Sequence, residues 1–205
     1  KITAADILGS GQFSMSPTQA FNKAVKDNTK LIDSIRKTTD PEEARKQTLQ
    51  IASNIASFSA SLASNMPKNI NEANTVKGQV RAILDQLDQL TTATKSKDLA
   101  NIVDNFKRLV DKPIPSGTNI KAYTETMFGG TNAGMMDYLT RALANGGKLT
   151  EEDYMKLTKF MASQAGKIAG VEQAIEQLKK DPSKPVTVTN RALRPKDDDY
   201  VMKNQ

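Results

Sequence analysis

Carboxylates are the side chains whose grouping in this sequence most suggests chemistry. Glu151–Glu152–Asp153 and Asp197–Asp198–Asp199 each place three acids in a row, a grouping that can hold a hard cation through oxygen. The second run lacks the alternating ligands, turn glycine and distal bidentate acid of a calcium loop. The first follows Thr150 and opens an apolar-periodic segment, where acids complement the free N–H groups and positive end of a helix. Asp40, Glu42 and Glu43 repeat that arrangement, and Asp197–Asp199 reads as a solvated acidic turn. Gly9–Ser10–Gly11 lacks the preceding strand and the lysine of a phosphate-binding loop, and reads as a hinge. The 205 residues include no histidine and no cysteine. The commonest general base, the commonest transition-metal ligand and every thiolate site are thereby removed. Any catalysis would rest on carboxylates, lysine or tyrosine, and no catalytic, cofactor-binding or metal residue is expected.

Twenty-nine basic residues against 23 acidic ones leave a net charge of +6, which favours anionic partners. The basic residues fall in scattered doublets: Arg36–Lys37, Arg45–Lys46, Lys107–Arg108 and Lys179–Lys180. Without a basic face or aromatic stacking platforms, the nucleic-acid expectation is limited to non-specific DNA contact. Aromatics make up 5% and tryptophan is absent, so the core must be built from Ala, Ile, Leu, Val and Met, which suit helix–helix seams. No apolar run approaches the roughly 20 residues of a membrane span. No signal-peptide pattern is visible at Lys1–Ile2–Thr3, and a start other than Met leaves room for sequence upstream.

Residues 1–15 read as an N-terminal linker with a helical turn at Ala4–Leu8. Residues 16–112 read as a helical bundle. Ser16–Pro17–Thr18–Gln19 carries a capping box with proline at the first helical position, and Phe21, Val25, Ile32 and Ile35, with Leu31 alongside, give the helix an apolar face that polar Asn28 interrupts. Asp40–Pro41 opens a second helix running to Met66, stopped by Pro67, with Ile51, Ile55, Phe58 and Leu62 as its seam. A third, from about Ile70, carries Val76, Val80, Ile83, Leu87 and Leu90. Ser96 caps a fourth with Leu99, Ile102, Phe106 and Leu109 inward. Short connections favour antiparallel neighbours.

Lys112–Pro113–Ile114–Pro115–Ser116–Gly117 breaks the chain. Residues 113–180 read as a helical subregion packing on or extending the bundle. It has short helices near Ile120–Phe128 and Ala133–Ala144, glycine stops at Gly129–Gly130 and Gly146–Gly147, and a long helix from Thr150. That helix turns Leu157, Phe160, Gln164, Ile168, Val171, Ile175 and Leu178 inward. Residues 181–205 form an extended tail, because Asp181–Pro182 ends the helix and Pro185–Val186–Thr187–Val188–Thr189 has strand character. The fold class is all-α: an up-and-down bundle of about four long helices plus short ones, with an extended C-terminal tail.

The most unusual stretch is Gln47 to Pro67, which has no charged residue and is dense in Ala and Ser. Recurrent Ser and Asn oppose insertion in a bilayer, and an interfacial helix would carry Lys or Arg on its polar face. Small side chains let neighbouring backbones approach closely, as in a central bundle helix or a subunit interface. Ala56 and Ala60 are the contact residues expected there, in a seam tight enough that leucine would overpack it.

Val188–Thr189–Asn190–Arg191–Ala192–Leu193–Arg194–Pro195, followed by Asp198–Asp199–Tyr200–Val201–Met202–Lys203, resembles a pattern near the ends of some bacteriophage tail and tape-measure proteins. In that pattern an Asn-Asp-apolar-apolar-Arg-Pro run precedes an Asp-containing apolar strand. The match spans about the last tenth of the chain. It departs at Arg191, where the pattern has Asp, and lacks the glycine after Pro195. The resemblance implies a virion structural role with the tail docked on a partner, and Val186, Val188, Leu193, Tyr200, Val201 and Met202 are the expected docking residues. The functional expectation is a non-enzymatic assembly protein, a phage tail or ejection-apparatus component joined to other protein subunits in an oligomer or larger assembly. The alternatives are a helical binding module of secretion-apparatus or effector type, then a nucleic-acid-binding protein, then a carboxylate-based enzyme.

Overall fold

A computed structural model describes residues 15–129 and 134–164; the expected linker before Met15, the inward positions expected from Ile168 to Leu178 and the tail expected at 181–205 lie outside them. The described residues are all-α and contain no strand.

Helix α1 spans Pro17–Lys37. Ser16 Oγ accepts from the Gln19 amide, while the Gln19 side chain accepts from the Ser16 amide, so two of the helix's unpaired donors are satisfied reciprocally. Helix α2, Pro41–Ser64, is capped by Asp40, whose carboxylate accepts from the Glu42 amide at 3.0 Å. Asn69 caps α3, Ile70–Thr94. Lys95 turns that helix off in the left-handed region at φ 55°, and Ser96 at once caps α4, Lys97–Val110.

Cross-helix contacts show how the four long helices run. On α1 and α2, Phe21 meets Phe58, Asn28 meets Asn54 and Ser34 meets Gln47. Numbers rise on one helix as they fall on the other, so the pair is antiparallel. Between α1 and α3, Thr18 meets Gln79 and Val25 meets Gln86; both advance together, so this pair is parallel. Between α3 and α4, Arg81 meets Asp111 and Asp85 meets Lys107, again antiparallel. The long helices therefore run up, down, up, down.

The short α5, Ile120–Thr124, continues into a wider π turn, Glu125–Gly129. Helix α6, Met135–Ala144, ends at Gly146 and Gly147, both at positive φ, and α7 follows at Glu151–Gln164. Helix α6 packs on α2 and on α4. Five helices thus close a ring in the order α1, α2, α6, α4, α3, with α1 meeting α3 to complete it. The π turn lies against α2 and α6, and α5 reaches α3.

Every seam residue expected on α2, α3 and α4 is buried: Ile51, Ile55, Phe58 and Leu62; Val76, Val80, Ile83, Leu87 and Leu90; Leu99, Ile102, Phe106 and Leu109. Each contributes about 1.5–3 kcal/mol by leaving water. On α1 the buried face is Ala20, Ala24, Asn28, Ile32 and Ile35, with Phe21, Val25 and Leu31 half-buried beside it. Tyr138, Leu139, Met135 and Met136 bring α6 into the same core.

Candidate interaction surfaces

The acids at Glu151–Asp153 serve a helix start and ion pairs, while Asp197–Asp199 lie outside the described residues. The Asp153 amide donates to Thr150 Oγ1 at 3.1 Å, which caps α7. The Asp153 carboxylate takes Arg141 at 2.7 Å, and Glu152 pairs with Lys156 at 2.8 Å. Among the described residues, no group of three or more acids could hold a metal ion. Burial pushes the Tyr123 hydroxyl up to about 12, so it stays protonated at neutral pH. Burial depresses the Lys77 ammonium, partly offset by Asp111, and that group donates to the Lys112 carbonyl at 2.6 Å.

Helix α2 packs on α1 along one flank and on α6 and the π turn along the other. Its third side faces outward. Leu49, Ser53, Ala56, Ala60 and Ala63 are exposed, and their alternating spacing of four and three residues follows one stripe of the helix. No charged residue occurs between Gln47 and Pro67, so the outward side is uncharged along most of its length. Ala56 and Ala60 thus lie outside the seams within the chain, and a tight seam at them would have to be made with another chain. The buried arc centres on Ile51, Ile55, Phe58 and Leu62, which carry far more apolar area than alanine. The helix turns those inward and leaves Ala56 and Ala60 out.

A groove of about 470 Å³ opens at the end of the bundle where α1 turns into α2 and α3 into α4. Buried Ile35, Leu90, Leu99 and Leu143 line it together with Thr38, Thr39 and Arg45. Gly147 explains the close wall. At φ +89° it sits against the α4 cap, and a Cβ there would lie 2.9 Å from Ser96 Oγ and 3.2 Å from Leu99 Cβ. Sequence reasoning took Gly146–Gly147 as a helix stop and had no signal for a groove assembled from five helices.

Also missed was the polar pairing along α1. Asn28, read as an interruption, is fully buried and accepts from Asn54 Nδ2 at 2.9 Å. Of the expected contact residues, Ala56 and Ala60 lie on the outward stripe of α2, while Val186, Val188, Leu193, Tyr200, Val201 and Met202 lie outside the described residues. Among the described residues no helix is long and apolar enough to cross a membrane. No protein-family model, curated protein or solved structure matches the chain.

Proposed function

We propose that this chain is a non-enzymatic structural and assembly protein, a component of a phage tail or ejection apparatus, acting by helix packing and by docking of its C-terminal segment. The observation that carries the reading is the outward stripe of α2. On a chain with 25% charged residues, an exposed helix side without charge from Gln47 to Pro67 is a surface suited to another protein. Its small side chains let a second helix come close, and desolvating it strands no charge. The resemblance at Val188–Lys203 supplies the virion part of the reading, and the net positive charge suits packaged DNA or an acidic neighbouring subunit.

The test is the double variant Ala56→Glu/Ala60→Glu. Both positions are exposed, so melting should move by no more than about 0.5 kcal/mol per site. Incorporation into the native assembly, followed by mass-spectrometric inventory of the particle, should be lost. A variant that folds and is incorporated like the wild type defeats the packing role. An inventory without virion proteins defeats the phage assignment. The apolar groove favours a second reading, a helical binding module of secretion-apparatus or effector type. That reading predicts one soluble partner in the inventory and no particle.

A further inference from the structure

Beside its apolar contacts, the segment Met15–Lys37 takes polar ones from its two long neighbours, donated at seven-residue intervals by Gln47, Asn54 and Ser61 of α2 and by Gln79 and Gln86 of α3. Toward α2, Gln47 Nε2 donates to Ser34 Oγ at 2.6 Å, Asn54 Nδ2 to Asn28 Oδ1 at 2.9 Å, and Ser61 Oγ to the Met15 carbonyl at 2.8 Å. Toward α3, Gln79 Nε2 donates to Thr18 Oγ1 at 3.1 Å, and Gln86 Nε2 donates to the Val25 carbonyl and to Thr29 Oγ1, both at 2.9 Å. The middle level is the most buried: Asn28 is 0% exposed, Asn54 8% and Gln86 9%. Asn28 Nδ2 and Gln86 Oε1 find no hydrogen-bond partner there. An apolar layer in the same place would leave no buried amide group unpaired.

The apolar residues do not by themselves select this alignment. On α2, Ile51 and Phe58 repeat after seven residues, as do Ile55 and Leu62; on α1, Phe21 and Ile35 flank Asn28 at the same interval. A slip of one heptad between α1 and α2 would again set apolar residues against apolar residues. It would also place Asn54 opposite half-buried Phe21 or buried Ile35 instead of Asn28, breaking the Asn28–Asn54 amide pair. We infer that the Asn28–Asn54–Gln86 layer is a register lock. It selects this alignment of α1 over the heptad-shifted ones, at the expense of the stability a wholly apolar core would have. A single buried asparagine plays this part in coiled coils.

The test uses the full chain carrying Asn28→Leu/Asn54→Leu. The reporter is the contact between Phe21 and Phe58, whose ring centroids lie 6.0 Å apart, read by nuclear Overhauser effects. The leucine pair should keep its helicity and melt at the wild-type temperature or above. It should show a second set of resonances in which Phe21 approaches Ile51 or Asn65. A second variant, Asn28→Ser/Asn54→Gln, rebuilds the Ser34–Gln47 pairing at the middle level and should return one set with the Phe21–Phe58 contact. The lock is overturned if the leucine pair keeps one resonance set and that contact, or if the serine–glutamine pair shows two. It is overturned as well if the leucine pair unfolds while the other variant folds, which would make the layer a source of stability.

Discussion

Lys107 ties α4 to α3 electrostatically, alongside the Arg81–Asp111 pair. Its side chain is 18% exposed and reaches Asp85 at 3.2 Å and also Asp88. Burial alone would lower its pKa, but hydrogen bonds to Asp88 and Asp85 outweigh it and the value is raised. A raised folded-state pKa means the contribution is complete below a free lysine's pKa and is lost as pH climbs through the higher value. Both aspartates are more than a third exposed, which screens the pair. Lys107→Met should therefore cost about 1 kcal/mol, less at high salt, in thermal melts at neutral pH with and without sodium chloride. A loss unchanged by salt would mean that packing of the lysine stem dominates. At this scale the sequence was only partly readable. Thr150 and Asp40 announce themselves as caps because the hydrogen bond spans two or three residues. The Asn28–Asn54 bond spans 26 residues, and no local period links its ends. For Ala56 and Ala60 the sequence left a central helix and a subunit interface both open, because alanine is compatible with either face and an Ala/Ser-rich helix gives little sign of which side is in.

Helix starts were the most legible elements. Ser16, Asp40, Asn69 and Ser96 each bond an amide two or three residues on. The chemistry of those side chains near a proline or an acid is local enough to read directly. Ser16→Ala should lower stability by about 1 kcal/mol, whereas Ser16→Asp should hold it near wild type. Chemical denaturation of the two variants side by side checks this, and an equal loss in both would locate the cost elsewhere than in the cap. Other features were less visible. The segment Ile120–Phe128 was expected as one short helix, yet its second half widens into a π turn. The turn closes on α2: Gly129, at φ +157°, lies against Ser59, where a Cβ would be 2.9 Å from Ser59 Oγ, a long-range approach that no local pattern announces.

For the molecule as a whole, the fold class and the alternation of the four long helices follow from caps, seams and short turns. The ring does not, because α6 joins two helices that are remote in sequence and its ten residues carry no sign of where they dock. The tail remains a matter for experiment. Deleting the residues after Lys184 should leave circular dichroism and melting temperature unchanged while assembly with the native partner is lost. If the truncated chain assembles as the full one does, tail docking is wrong. The ring also has a consequence for how the protein is made. A ribosome releases α1 through α4 in order, and α2, α3 and α4 each find a neighbour already synthesised. The flank of α2 that carries Ser59 gains its cover only when the π turn and Met135–Ala144 have emerged. Vectorial synthesis thus holds one side of the second helix open until Ala144 has been made, and that interval is where a nascent-chain chaperone would have apolar surface to bind.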